Sequence, residues 1–402
     1  MKHCDIIGIS DKREQWFSPE VTKVIRGGKV FSGGKRHREI MDVYLPPGYE
    51  WIDITVPLSD VFEQYQLYDD VVIFASGDPL FYGFASTVQR QCPSCEMRVF
   101  PSFNSLQMLA HRMLLPYQDM HVVSLTGRPW DRFDEALIMG YPLIGVLTDR
   151  RNTPKVIWQH MLDYGYTNYT MTVGENLGND VAEKIYTITL GTDADDNFGT
   201  EPLCCLMLQK EHDRTRPLGI PEGEFALLDG RAKMITKMPI RLLTLSMLDL
   251  RHRHSFWDVG FCTGSVSIEA KLQFPHLAVT AFEVREEGRE LMRENARRFG
   301  TPGITIRIAD FLTTDLTDLL RPDAVFIGGH GGRLVEMIER LYEVMLPGCC
   351  LVFNSVSESS RQLFLEGLEK VGMELVDETR ISVDEHNPIH IMKATSPKRL
   401  TV

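Results

Sequence analysis

No run of about eighteen apolar residues occurs in this 402-residue chain, so no membrane-spanning helix is expected and a membrane is not an expected partner. Met1-Lys-His-Cys-Asp5 leads directly into a strand-like segment, without the succession of basic, apolar and small residues that marks a signal peptide. The expected location is the cytoplasm. Positive charge is scarce: 43 Lys and Arg face 55 Asp and Glu, for a net charge of −12. A general nucleic-acid binder needs a basic surface to displace counterions, and no basic stripe with interleaved aromatics is present, so nucleic acid is not an expected partner. Cysteine is sparse as well, with eight in the whole chain. That number does not build a small secreted scaffold, and Cys204, Cys205, Cys349 and Cys350 lie in apolar runs where a reduced thiol packs as a small hydrophobe. Cys92-Pro-Ser-Cys95 has the spacing of a ligand pair, but no second pair matches it and no metal is expected. Internal repeats and low-complexity segments are lacking.

What is present is the length and rhythm of an α/β enzyme. Hydrophobic residues at 43% and charged residues at 24% are ordinary for a globular chain, and 402 residues exceed one compact core of usual size, so two domains are expected. Strand patterns are read at Asp5 to Ile9, Trp51 to Val56, Val71 to Ser76, Glu96 to Phe100, His121 to Leu125, Leu143 to Thr148 and Asn168 to Val173, with helical patterns between most of them. Ser18-Pro19-Glu20 supplies an N-cap, a proline at the first helical position and an acidic first turn for a helix towards Arg26. This alternation predicts a largely parallel sheet covered by helices. Val181 to Leu190 and Pro202 to Gln209 follow without an intervening helix and are expected to pair antiparallel. Residues 209–221 are polar, contain two prolines and suit a linker between domains at 1–208 and 222–402. Beyond it, a helix over Pro239 to Leu250 precedes strands at Ser255, Leu277, Ile304, Ala324 and Cys349, each expected to lead into a helix. Glu374 to Ser382 and Ile389 to Ala394 are expected to form a hairpin.

The stretch Phe256-Trp-Asp-Val-Gly-Phe-Cys-Thr-Gly264 turns from an apolar run into a glycine loop and then a helical pattern. That order brings backbone N–H groups and a positive helix end towards a ligand. The spacing is Gly260-x-x-x-Gly264, with Cys262 and Ser265 where a dinucleotide loop has its second and third glycines, so a pyrophosphate is disfavoured. Glu283 closes the next apolar run nineteen residues past Gly264, where a carboxylate accepts hydrogen bonds from ribose hydroxyls. Adenosine without pyrophosphate points to S-adenosylmethionine; the alternative is a plain glycine turn of an α/β domain. In the amino-terminal half, Ala75-Ser-Gly-Asp-Pro-Leu-Phe-Tyr-Gly83 follows an apolar strand and forms either a cofactor edge or a tight turn.

Ser76-Gly-Asp-Pro-Leu-Phe-Tyr-Gly83, Pro101-Ser-Phe-Asn-Ser105, Leu147-Thr-Asp149 with Asn152-Thr-Pro154, and Gly174-Glu-Asn-Leu-Gly178 resemble the tetrapyrrole methylase family of cobalamin biosynthesis, in the branch acting on carbon 5. Gly219-Ile-Pro-Glu222, Thr236-Lys237, Thr244-Leu-Ser246, Trp257-Asp-Val-Gly260, Thr263-Gly-Ser-Val-Ser-Ile-Glu269, Phe326-Ile-Gly-Gly329 and Asn387-Pro388 resemble the decarboxylating carbon-15 methyltransferases. Both halves in this order resemble fusions of the two, and the likeness spans nearly the whole chain. The resemblance implies a two-lobed tetrapyrrole methylase fold followed by a seven-stranded Rossmann-like methyltransferase fold. It implies two S-adenosylmethionine sites and a small-molecule tetrapyrrole substrate; a homo-oligomer is also expected. In the first site it implies Gly77, Asp78, Pro79 and Leu80, with Ser105 and Ala110 nearby. In the second it implies Gly260, Thr263 and Gly264 beneath the methionine part, Glu283 on the ribose, and Thr236, Asp310 and Phe311 completing the site. The family opens with a G-x-G-P-G loop, whereas this chain has Gly8-Ile-Ser-Asp-Lys12, and Cys262 stands where a third glycine is common.

A substrate rich in carboxylates requires local cations from an acidic protein. Lys35-Arg36-His37-Arg38, Arg231 with Lys233 and Lys237, and Arg333 are candidates, each with the alternative of a solvated helix face. His330, in Gly328-Gly-His-Gly-Gly332, lies at an expected carboxyl end of a strand, where α/β sheets bind ligands, and is either a proton donor or acceptor or an exposed turn histidine. Asn354 and Glu358 follow the next strand at a similar depth; Arg251-His-Arg-His254 precedes a strand at its amino end and reads as surface. Two rival readings remain: methylation of RNA or protein, and a chain whose amino-terminal domain is a non-catalytic docking module.

Overall fold

The structure is a computed structural model and describes residues 1–189, 191, 198, 199, 201, 204–228, 234–383 and 388–397. Its contacts divide the chain into two compact units, one of Met1–Arg128, Pro142–Gln159 and Tyr169–Glu211, the other of Pro129–Tyr141, His160–Asn168 and His212–Val402. Both are mixed α/β.

The first unit holds β1 (His3–Ile9), β2 (Val30–Gly33), β3 (Glu50–Asp53), β4 (Asp70–Ser76), β5 (Glu96–Phe100), β6 (His121–Ser124), β7 (Leu143–Leu147), β8 (Tyr169–Glu175), β9 (Lys184–Thr189) and β10 (Cys204–Lys210). Its first sheet is ordered β3-β2-β4-β1-β5 and is parallel throughout. Alternation along β1 sends Cys4 and Ile6 into one apolar cluster and Ile7 and Ile9 into another, so both faces are covered, as a parallel sheet requires. The helix Pro19–Gly27 begins where its sequence signals place it, with Ser18 accepting a hydrogen bond from the Val21 amide. The second sheet is ordered β6-β7-β10-β8-β9. Here the expected antiparallel pairing of β9 with β10 is corrected: both pair antiparallel with β8, which lies between them. Long-range insertion of a neighbour is invisible to local pattern. β2, a four-residue strand ending at Gly33, was not among the expected strands.

The second unit holds β11 (Ser255–Val259), β12 (Ala278–Glu283), β13 (Ile304–Ile308), β14 (Ala324–Ile327), β15 (Cys350–Ser355), β16 (Glu374–Ile381) and β17 (Ile389–Thr395), in one sheet ordered β13-β12-β11-β14-β15-β17-β16. β16 and β17 form the expected antiparallel hairpin, and the other neighbours are parallel apart from β15 with β17. The expected helix after β13 is also corrected: Asp310 to Thr314 make successive turns there, with the Asp310 carbonyl accepting from the Thr313 and Thr314 amides. Phe256 packs on one face of β11 while Trp257 and Val259 pack on the other. Cys205, Cys349 and Cys350 are buried as expected, and burial raises each thiol's pKa. No helix among the described residues is long and apolar enough to cross a membrane.

The order β12-β11-β14 reverses strand succession beside β11, and α/β sheets bind ligands at the carboxyl ends of strands at such a reversal. The glycine loop and Glu283 both lie there.

Candidate functional site

In the first unit, the loops leaving β1, β4 and β5 meet at the carboxyl edge of the parallel sheet. The Gly77 amide donates to the Ile9 carbonyl at 2.8 Å, and the Gly77 carbonyl accepts from the Ser102 amide at 3.1 Å. Gly8 faces this junction: a methyl group on it would lie 1.9 Å from the Gly77 oxygen. The Asp78 carboxylate accepts from the Leu80 amide at 2.9 Å, Pro79 is buried, and Leu80 is half exposed. Asn104 caps the helix Ser105–Met113 by accepting from the Gln107 amide. Ser105 is the first residue of that helix, and Ala110 is buried in an apolar cluster with Leu106, Leu109 and Met207.

The opening loop is pinned by its charge. Asp11 pairs with Arg36 at 3.3 Å and accepts from the Asn179 amide group at 3.0 Å. Arg36 and His37, from the Lys35–Arg38 cluster, both reach the Ser76 hydroxyl, at 2.8 and 2.9 Å. Arg38 instead covers the Trp51 ring. Cys92 and Cys95 are free thiols, and among the described residues no group of three or more His, Cys, Asp or Glu has the arrangement of a metal site.

In the second unit, Gly260 directly follows β11 with a φ of 81°, and a Cβ there would lie 2.6 to 2.8 Å from the Gly329 backbone. The loops after β11 and β14 therefore approach each other closely at Gly260 and Gly329. Cys262 takes φ 52°, the left-handed conformation that explains why glycine is favoured at its position. Its amide donates to Glu283 at 2.9 Å, which brings the loop and the carboxylate together. Glu283 also accepts from the Val284 and Arg285 amides and from the Arg285 guanidinium at 2.9 and 3.0 Å. Burial pushes its pKa up, but the Arg285 bonds outweigh this and hold it below the usual range. The Arg285 fork thus engages both oxygens of the Glu283 carboxylate.

Beneath the loop, Asp258 is buried and one of its oxygens accepts from the Ser267 hydroxyl at 2.6 Å and the Ser267 amide at 3.2 Å. Its other oxygen and the Thr263 hydroxyl have no hydrogen-bond partner among the described residues. Burial first, with the Glu283 charge adding, pushes the Asp258 carboxyl up to about 7. A buried acceptor left unpaired is costly unless something supplies a donor or a positive charge.

Around this loop, Phe311 is buried against Trp257 and Phe282, while the Asp310 carboxylate caps its own turn at the Leu312 amide and meets Arg333 at 3.4 Å. Arg333 also pairs with Glu336. His330 Nδ1 accepts from the Gly332 amide at 3.1 Å, its ring lies edge-on to Phe353 at 5.9 Å, and burial lowers its pKa. With Nδ1 accepting, the ring proton is on Nε2. Thr244 donates to the Ile240 carbonyl and accepts from Asn354 Nδ2 at 3.0 Å. Glu358 is an exposed partner of Arg361, and Lys237 immediately precedes the helix Met238–Leu248. Arg231 and Lys233 lie outside the described residues, as does Asn387 of the Asn387-Pro388 motif.

Sequence reasoning missed Arg241, which is fully buried and pairs with Glu269, equally buried. Its other nitrogens donate to the carbonyls of Thr236 (2.7 Å) and Ile220, its plane covers Phe225, and Glu269 accepts from the Gly219 amide. Thr236 is thereby fixed through its backbone. The available signal was the pair of motifs at 219–222 and 263–269, each containing one partner.

The profile of the tetrapyrrole (corrin/porphyrin) methylases matches residues 1–193, and that of the precorrin methyltransferase domain matches residues 229–402. A precorrin-6Y C(5,15)-methyltransferase (decarboxylating) of Sinorhizobium sp is 29% identical over 399 residues, covering 98% of this chain and 93% of that protein. A cobalt-precorrin-6B C(15)-methyltransferase (decarboxylating) of Salmonella typhimurium is 35% identical over 173 residues, 42% of this chain and 88% of that protein. Among solved structures, a precorrin-6Y C5,15-methyltransferase of Geobacter metallireducens aligns with 44% of this chain and 97% of its own at 32% identity and a TM-score of 0.41.

Proposed function

We propose, for a chain that belongs to the decarboxylating precorrin methyltransferase family, that it methylates a precorrin-6 level corrinoid at carbons 5 and 15 and removes the carboxyl group of the ring C acetate, as a step of cobalamin biosynthesis. It is an S-adenosylmethionine-dependent methyltransferase. The observation that carries the two-reaction reading is the succession of two differently built family matches along one chain, in the order of a relative that spans 98% of it. We assign carbon-5 methylation to a two-lobed fold over residues 1–208 and the carbon-15 reaction to a seven-stranded Rossmann-like fold over 222–402, each with its own cofactor site, in a cytoplasmic homo-oligomer.

S-adenosylmethionine, when bound, supplies a methyl group on a sulfonium that departs as a neutral thioether. No residue is needed to activate a leaving group, and the protein's task is to hold an enamine-like meso carbon at contact distance and keep water out. In the first site, Gly77 to Leu80 line the cofactor, with Ser105 and Ala110 behind them. In the second, Gly260, Thr263 and Gly264 support its methionine part, Glu283 its ribose, and Thr236, Asp310 and Phe311 close the site. The unpaired oxygens of Asp258 and Thr263 suit a cationic, donor-bearing ligand.

This fit carries a pH dependence. A cation beside Asp258 favours its ionised form, so binding releases a proton wherever that carboxyl is still protonated, below about 7. Cofactor affinity at the second site is expected to rise with pH from 6 towards 8 and then level off, with a slope approaching about tenfold per pH unit on the acid side. Calorimetry across this range checks it, and Asp258→Asn should flatten the profile.

We assign the Nε2–H of His330, in the loop after β14, to the acetate or the adjoining ring nitrogen, with Arg333 and Asn354 completing that wall. Loss of one hydrogen bond to a charged group corresponds to about 1.5–3 kcal/mol. His330→Ala is therefore expected to slow the carbon-15 reaction roughly tenfold to a hundredfold while carbon-5 methylation is retained, as followed by product mass.

The overall reading is tested by incubating the chain with the precorrin-6 level intermediate and S-adenosylmethionine. The expected product has gained two methyl groups and lost carbon dioxide. An unchanged mass with both cobalt-containing and cobalt-free substrate would refute it.

A further inference from the structure

Ser76 is the last residue of β4, directly before the Gly77 loop, and its side chain is exposed. Its hydroxyl oxygen receives two donors. One is Arg36, at 2.8 Å. The other is His37: the Gly34 amide donates to Nδ1 at 3.2 Å, so the ring proton is on Nε2, 2.9 Å from Ser76. Burial, with Arg36 adding, lowers the His37 pKa to about 4, in keeping with a neutral ring.

A hydroxyl has two lone pairs and one proton. With both lone pairs engaged by Arg36 and His37, the Ser76 proton must point elsewhere, and no acceptor for it is found among the described residues. Arg36 cannot turn away freely, because its second nitrogen is held by Asp11 at 3.3 Å, and Asp11 is in turn held by Asn179. Donation from a guanidinium into the hydroxyl also polarises the O–H bond and strengthens it as a donor.

We infer that the Ser76 hydroxyl, backed by Arg36 and His37, is a carboxylate-binding point at the edge of the Gly77 loop. It is a positioning device and takes no part in bond making. The inference rests on the reading of the first unit as the carbon-5 methylation site, where carboxylates come from two sources: the methionine part of the cofactor and the acetate or propionate arms of the tetrapyrrole. It also gives the altered opening loop a role, since Asp11 is the residue that holds Arg36 in place.

The test is calorimetry on the full-length chain with three probes: S-adenosylhomocysteine, which carries the carboxylate; 5′-methylthioadenosine, which lacks it; and the precorrin-6 level tetrapyrrole. The readout is the part of each isotherm that differs between wild type and Ser76→Ala. A loss of about tenfold or more for S-adenosylhomocysteine, with methylthioadenosine unchanged, assigns the point to the cofactor carboxylate. The same loss for the tetrapyrrole, with both adenosyl ligands unchanged, assigns it to a substrate arm. Ser76→Thr, which keeps the hydroxyl, should restore affinity in either case. Affinities unchanged for all three probes, or a loss that Ser76→Thr fails to restore, would overturn the inference. A wild-type chain that binds the probes but adds no methyl at carbon 5 fails the functional reading alone, and these comparisons still decide the carboxylate point.

Discussion

Arg241→Met is expected to destabilise the second unit by about 3–5 kcal/mol, because it leaves the Glu269 carboxylate buried without its counter-ion. For a unit of this size that corresponds to a fall of roughly 10 °C or more in its thermal transition, measurable by calorimetry. The cause lies in the arrangement of donors. One guanidinium satisfies the Glu269 carboxylate and the carbonyls of Thr236 and Ile220, and both charged side chains are fully buried. Methionine fills most of the volume and supplies none of the donors. Lysine keeps the charge but presents it as a point without the planar fork, so Arg241→Lys should recover only part of the loss. Arg241→Met combined with Glu269→Gln removes the stranded charge and should be more stable than Arg241→Met alone. If the double variant is no better, the unpaired carboxylate is not the source of the loss. Since the same guanidinium fixes the Thr236 backbone, Arg241→Lys should also weaken cofactor binding at the second site by more than its stability loss explains.

Much of this architecture was written locally in the sequence. Ser18-Pro19-Glu20 starts its helix because capping depends on three adjacent residues, and the Glu374 and Ile389 segments form their hairpin because strand alternation has period two. Gly260 and Glu283 were legible as a pair because a strand, loop, helix and strand have narrow limits on length, and the structure brings the loop to the carboxylate through the Cys262 amide. The failures share a physical character. β9 and β10 were expected to pair because they are neighbours in sequence, yet β8 offers both of its edges and takes both strands. β2 is too short for an alternation to register. Nothing local links Arg241 to Glu269, or Asp11 to Arg36 to Ser76, since each contact spans 25 residues or more and depends on which strand edges adjoin. Charge clusters such as Lys35-Arg-His-Arg38 show the same limit: composition marks the cluster, but only packing separates Arg36 and His37, which reach Ser76, from Arg38, which covers Trp51.

The opening loop supplies the other large effect. Gly8→Ala is expected to lower carbon-5 methylation about a hundredfold or more while the carbon-15 reaction stays within about twofold, since a displacement near 1 Å at a positioning site is enough for a loss of that order. The added methyl would lie 1.9 Å from the Gly77 oxygen and 2.7 Å from the Ser102 amide, both backbone atoms of the same junction. Neither can yield as a side chain tip does. To admit it, β1 and β4 must separate at their carboxyl ends, which breaks the Ile9 to Gly77 and Gly77 to Ser102 hydrogen bonds and carries the Asp78 turn with them. The overpacking cost of about 1–3 kcal/mol is small enough to leave the unit folded, so the loss should be read in turnover before it is read in stability. The product expected from this variant is singly methylated and decarboxylated. Asp11→Asn makes a graded comparison: it keeps the Gly8 junction and weakens only the hold on Arg36, so its effect on carbon-5 methylation should be severalfold rather than a hundredfold. Full carbon-5 activity in Gly8→Ala would show that the glycine junction does not position the cofactor, and the assignment of Gly77 to Leu80 would fall with it.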